Sequence, residues 1–191
     1  MKKLRYGNTN TFFINGLLVD TDWAGTLPQF YKEMKACGIN FKDIKYVMAT
    51  HYHPDHIGLI SELMDLGVTL IIIDEQKNFI HFSDEIFRKD KRINYKPIDE
   101  TKAVYISIDE SMEFLNSLGI KGEVIHTPGH SDDSVSLILD EGVAIVGDLD
   151  PLDYMPAYDK DDLRHKSWQK ILSHNPGIIY YSHANEKYMN K

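Results

Sequence analysis

The chain has one cysteine, Cys37, in 191 residues, which excludes an intrachain disulfide framework. Cys37 stands just before Gly38, where a helix is predicted to stop, so the thiol reads as packed and inert rather than nucleophilic. No run approaches the ~18 apolar residues of a membrane helix; the greasiest stretch, Val68 to Ile73, has the length of a strand. Lys2, Lys3 and Arg5 are followed by Gly7-Asn8-Thr9-Asn10-Thr11, where a secretory signal needs an apolar core. A soluble, cytoplasmic protein with no membrane partner is therefore expected. Positive charge is scarce too: 21 Lys and Arg stand against 29 Asp and Glu, a formal net charge of -8. That balance disfavours attraction to phosphate backbones or anionic lipid, so nucleic acid is not an expected partner. Repeats, low-complexity tracts and linkers are missing as well. What is present is an ordinary globular composition, 42% hydrophobic and 26% charged. The length suits one domain over residues 1–191.

Short apolar runs and turn signals alternate along that length. Leu4–Tyr6 and Thr11–Ile14 read as strands, and Asn15-Gly16 is a two-residue hairpin signal into Leu17–Asp20. Pro28–Ala36 reads as a helix, Ile44–Thr50 as a buried strand, Leu59–Leu66 as a short helix closed by Gly67, and Leu70–Ile73 as another buried strand. Residues 74–101 are the least regular. Helical spacing over Glu75–Phe87 (Phe79, Phe82, Ile86) runs into the charge cluster Arg88–Arg92, which suggests either a lid or edge element, or a solvated excursion. Val104–Ser107 then reads as a strand, Asp109–Leu118 as a helix, and Glu123–His126 as a strand. Val135–Leu139 and Val143–Val146 form a hairpin through Glu141-Gly142. A loop over 149–160, a helix marked by Leu163, Trp168 and Ile171, and a last strand at Ile178–Tyr181 complete the chain.

The strand ends carry the chemistry. His51-Tyr52-His53-Pro54-Asp55-His56 follows the strand that ends at Thr50, and three imidazoles with a carboxylate are costly to bury unless something binds them. In such a loop His51 and His53 can point one way while Asp55 and His56 point another, which suits two metal ions side by side. Asp20, His130, Asp148 and His183 also stand at strand ends. Core packing explains why strands stop there; metal binding explains why ligand-type residues follow. Singly, each has a bland alternative: a polar turn for the histidine-rich stretch, a turn histidine at His130, a loop cap at Asp148, a surface histidine at His183.

His51-x-His53-x-Asp55-His56, Thr127-Pro128-Gly129-His130, Gly147-Asp148 and Ser182-His183, in that order, resemble the motifs of the metallo-β-lactamase-fold hydrolases. The resemblance runs from Asp20 through His183 and implies an α/β fold, the αββα four-layer sandwich. It implies that His51, His53 and His130 hold one metal, that Asp55, His56 and His183 hold a second, and that Asp148 bridges them. Asp20 matches an early aspartate that orients a ligand histidine without binding metal itself. The implied cofactors are two divalent ions, with zinc expected and iron or manganese also suited to His/Asp donors. His81, His126, His165 and His174 match no ligand position.

Departures from the subfamilies narrow the activity. Zinc β-lactamases usually carry cysteine where this chain has Asp148, which disfavours β-lactam hydrolysis. Flavodiiron proteins carry glutamate at the position of His53. Glyoxalase II shares the all-His/Asp site but adds a helical domain, which is not expected in a chain ending at Lys191. A compact glyoxalase II-like or lactonase-like hydrolase of thioesters, esters or lactones is the expectation. A metal-bridging hydroxide would attack the carbonyl, and Asp55 would pass its proton to the leaving group. Tyr154 and Tyr158 are candidate substrate contacts, with loop packing as the bland alternative. Recognition of a small acyl compound is expected from residues 74–101 and 149–160, whose aromatic side chains include Phe79, Phe82, Phe87, Tyr95, Tyr154 and Tyr158. Two other readings stand beside this one: a mononuclear iron persulfide dioxygenase, and a non-catalytic metal-binding or sensing domain.

Overall fold

The computed structural model describes residues 1–91, 93 and 95–189. Arg92 of the charge cluster, and the last two residues of the expected 1–191 domain, lie outside the described residues. The chain folds as two compact units, Met1–Ile106 and Ser107–Lys191.

The first unit is built on a six-stranded sheet. Its strands, β1 (Lys2–Arg5), β2 (Asn10–Ile14), β3 (Leu17–Val19), β4 (Tyr46–Met48), β5 (Thr69–Ile73) and β6 (Val104–Ile106), lie in chain order. The first three pair antiparallel and the rest parallel. Asn15 and Gly16 take φ of 42° and 90°, the doubly positive turn that matches strand twist, so the predicted hairpin forms there. Leu70 to Ile73 are fully buried, as a parallel strand covered on both faces must be. Helix α1 (Leu27–Ala36) buries Phe30 and Met34, which join Val47, Leu63 and Leu70 in one apolar cluster. Burying each such side chain contributes about 1.5–3 kcal/mol. Cys37 caps this helix and is partly exposed.

Two short helices follow β4: α2 (Pro54–Ile57) and α3 (Ile60–Asp65). Gly58 joins them at a close backbone approach. A Cβ there would lie 2.1 Å from the Ala24 nitrogen and 2.4 Å from the Asp22 carbonyl oxygen. Glycine at 58 therefore lets the histidine-rich loop lie against the chain that leaves β3.

Residues 74–101 depart from the expected helix. Phe79, Phe82 and Asp84 each donate their backbone N–H to the residue three back (2.9, 2.8 and 3.2 Å), so this stretch is a chain of tight turns. Among the described residues of this segment only α4 (Asp84–Lys89) is α-helical.

The second unit has a five-stranded sheet of β7 (Gly122–His126), β8 (Val135–Leu139), β9 (Val143–Ile145), β10 (Ile178–Tyr180) and β11 (Lys187–Tyr188), in the order β11-β10-β9-β8-β7. Helix α5 (Ile108–Ser117) starts at a capping box in which Ser107 and Glu110 satisfy each other's backbone N–H groups. Helix α6 (Leu163–Ser173) is capped by Asp162 and packs Trp168 and Ile171 with Ile125, Ile138 and Ile179. The loop over 149–160 contains a six-residue 3-10 stretch, Leu152–Ala157. Among the described residues no helix is long and apolar enough to cross a membrane.

Candidate metal centre

In the first unit Asp20 leaves β3 in the left-handed region, φ 59°, a conformation that costs a non-glycine residue about 1–2 kcal/mol. Two backbone bonds fix it: Asp20 N–H donates to the Met48 carbonyl and Thr21 N–H to the His56 carbonyl, both at 2.9 Å. The carboxylate is fully buried and accepts hydrogen bonds from Thr50 and His56. The Thr50 N–H donates to Oδ1 (2.6 Å), while the Thr50 hydroxyl and His56 Nδ1 reach Oδ2, each at 2.9 Å.

This network assigns tautomers. The Thr50 hydroxyl spends its one proton on Asp20, so its lone pair can accept from His51 Nδ1 at 3.2 Å. His51 and His56 then both carry the proton on Nδ1 and a lone pair on Nε2, the form a cation requires. His51 and His56 are both buried. The ring of His51 lies 4.5 Å from that of His53 and 4.0 Å from that of His56, centroid to centroid. Donor atoms of His51 and His53, and of Asp55 and His56, come within 4.8 Å of each other. Unpaired charge in so buried a loop would be expensive, and the donor set is the imidazole and carboxylate mix that zinc, iron or manganese accepts. The residues fit a divalent metal.

Gln76 is a buried support that the sequence reading missed. Its Nε2 donates to the carbonyls of Ala49 (3.0 Å) and Thr50 (3.3 Å), the two residues before His51. A glutamine just after a buried strand was the only signal for it. Thr50 was missed likewise, and its place directly before His51 was the signal.

In the second unit the turn after β7 presents His130. Gly129, at φ 143°, lies under α6, where a Cβ would come within 3.0 Å of the Arg164 nitrogen and Cα. The Ser167 hydroxyl donates to the Pro128 carbonyl at 2.6 Å, so α6 clamps this turn. Gly147, at φ 61°, turns the chain out of β9 and delivers Asp148. The Ser182 N–H donates to the Gly147 carbonyl (3.0 Å), which brings His183 alongside from the end of β10. Asp148 Oδ2 lies 3.6 Å from His130 Nε2, and Oδ1 lies 3.3 Å from His183 Nε2. These three line a cavity of about 290 Å³ with Leu149, Pro151 and Tyr181.

The loop after Asp148 holds both candidate tyrosines. Tyr154 is 58% exposed. The Tyr158 hydroxyl donates to Asp150, and its ring lies under the Arg164 guanidinium, 4.0 Å from centroid to Cζ. Desolvation and that bond to Asp150 raise the Tyr158 phenol, so it remains a donor. Of the histidines matching no ligand position, His81 meets Asp84 (3.1 Å), His126 meets the Asp132 carbonyl (2.8 Å) and His174 lies 3.6 Å from Glu123.

Two mixed α/β units whose strands end in imidazole and carboxylate donors define a metal-binding α/β protein of the αββα class. More particularly, the chain belongs to the metallo-beta-lactamase superfamily, whose family model matches residues 4–183. It is 31% identical over 150 residues to a probable metallo-hydrolase of Methanocaldococcus jannaschii, covering 75% of this chain and 68% of that one. It is 24% identical over 152 residues to an atrochrysone carboxyl ACP thioesterase of Claviceps purpurea, covering 75% of this chain but only 40% of the relative. Among solved structures, TTHA1623 in a di-iron-bound form superposes with a TM-score of 0.73 at 18% identity, over 98% of this chain and 94% of that one. The superfamily binds divalent metals, and hydrolases are among its members.

Proposed function

We propose that this chain is a metal-dependent hydrolase of a carbonyl ester, most specifically a thioester, ester or lactone. In this proposal seven side chains hold two divalent ions. His51, His53 and His130 form one set, Asp55, His56 and His183 the other, and Asp148 serves both. The observation that carries this reading is Asp148 itself: its two oxygens meet two different imidazoles, one from each proposed set. The Asp20–Thr50 network supports it by holding His51 and His56 in the tautomer that ligation needs. The thioesterase relative supports the acyl class, and aspartate rather than cysteine at position 148 disfavours β-lactam hydrolysis.

Bound divalent cations, zinc in this proposal, lower the pKa of water toward neutrality and polarise a carbonyl oxygen. The chain's own residues do the rest. Asp20 keeps the imidazoles aimed, and Asp55 carries a proton from the nucleophile's side to the leaving group. Tyr154, exposed on its loop, is proposed to donate a hydrogen bond to substrate. Tyr158 reaches substrate only by giving up Asp150, so its contribution is proposed through the loop it braces. The partner is a small acyl molecule.

The test is a panel of acyl thioesters, acyl lactones, a phosphodiester and a cephalosporin, offered to zinc-loaded protein. Turnover of thioesters or lactones is expected. Turnover of the phosphodiester or the cephalosporin alone would move the chain to another branch of the superfamily.

A further inference from the structure

The irregular segment 74–101 carries many apolar side chains, and most are spent on the core. Ile80 and Phe87 are 1% exposed, and Phe79 and Tyr95 pack against the same cluster. Tyr95 also stacks on Phe87, with ring centroids 4.2 Å apart. Phe82 and Ile86 remain in solvent. Phe82, 60% exposed, is the one whose ring meets a ligand-type histidine: its centroid lies 5.8 Å from that of His53, with the planes at 33°.

A single exposed aromatic is ordinary on any protein surface. Phe82 differs because the residue beside it is tied to the histidine-rich loop. Its own N–H donates to the Phe79 carbonyl at 2.8 Å. The next residue, Ser83, is fully buried and donates its hydroxyl to the Tyr52 carbonyl at 2.6 Å. Tyr52 is the residue between His51 and His53. One side chain therefore pins the segment to the loop while its neighbour holds an apolar ring beside His53. An aromatic face held in water next to hydrolytic donors matches the apolar tail of an acyl group whose polar end is at those donors.

We propose that Phe82 is a specificity-determining residue, the wall of an acyl subsite that favours substrates with an extended apolar acyl chain over acetyl compounds. The proposal rests on the hydrolase reading for its substrate, but its subsite can be measured without turnover. The probes are straight-chain carboxylates from acetate to octanoate, the acid products of such esters, titrated by calorimetry into zinc-loaded wild type, Phe82→Ala and Phe82→Leu. In the wild type, affinity is expected to tighten about two- to fourfold per added methylene, the range between partial and full burial of a CH₂. Phe82→Ala should flatten that dependence, and Phe82→Leu should restore part of it. The readout is the slope along the series, which a general loss of structure would not selectively erase. Equal slopes in all three proteins, or no slope in the wild type, overturn the proposal. Acyl thioesters of matched length separate the two readings. If none is hydrolysed while the carboxylate slopes behave as stated, the hydrolase reading fails and the subsite stands. If they are hydrolysed with the same length dependence in wild type and Phe82→Ala, the subsite fails and the hydrolase stands.

Discussion

Asp20 Oδ2 lies 2.9 Å from Nδ1 of His56 with both side chains fully buried, and the aspartate keeps that place at a φ of 59°. The strain is tolerated because the same carboxylate also takes the N–H and the hydroxyl of Thr50. A geometry set by hydrogen bonds to Thr50 and His56 predicts a graded loss when it is removed. Asp20→Ala should weaken metal binding or activity about 10–100-fold without abolishing it, the usual size for a partner behind a ligand. Chelator competition against wild type measures it; complete loss of metal would make Asp20 a ligand instead.

Asp148 should be less forgiving. Its two oxygens face His130 and His183 at 3.6 and 3.3 Å, and in the proposed centre it is the one ligand that both ions share. Asp148→Ala should be the most damaging single ligand change, because it leaves two cations close together with less negative charge between them. The check is activity and metal content across alanine variants of all seven ligands, with Asp148→Ala expected lowest.

Much of this was legible in the sequence, and the exceptions share a physical cause. Asn15-Gly16 declared its hairpin because a doubly positive φ is a local property of those two residues. Leu70–Ile73 declared a buried strand by composition. The ligand-type residues and Asp20 stood out as repeated polar strand ends, and the role of Asp20 behind a histidine came from the resemblance. Gln76 and Thr50 stayed hidden because their worth lies in what they touch: the carbonyls of Ala49 and Thr50 for the first, Asp20 and His51 for the second. The helix expected over Glu75–Phe87 forms only from Asp84 onward, because the spacing of Phe79 and Phe82 is not carried by a helix. The chain there turns every three residues and buries Ile80 instead. Strand β11 was missed because two residues pairing with β10 leave no periodicity to read.

Gln76→Leu should destabilise the first unit by about 1–3 kcal/mol, since it leaves buried carbonyls before His51 without their donor. Urea unfolding of the metal-free protein measures this. No change in midpoint would mean that water replaces the amide.

Alkaline pH offers a further test. Burial, and then the hydrogen bond to Asp84, push the Tyr95 phenol well above its ordinary value of 10.0. Because the folded-state pKa is raised, the stabilisation is fully present below about pH 10 and is lost as pH climbs beyond it. Ionisation would break the 2.8 Å bond to Asp84 and set a second negative charge beside it. Wild type should therefore lose more stability than Tyr95→Phe between about pH 9 and 11, measured as denaturant midpoints. Parallel pH profiles would contradict that assignment.

The central claim is a two-ion centre made by seven side chains, and the number of metals per chain tests it most directly. Elemental analysis of protein loaded with zinc and freed of excess is predicted to find two ions per chain. Asp55→Ala, His56→Ala and His183→Ala should each remove one ion preferentially and leave the other in place. A crystal structure of the same preparation should show those three side chains on one ion and His51, His53 and His130 on the other. One ion per chain at saturating metal, with Asp55, His56 and His183 unligated, would contradict the account.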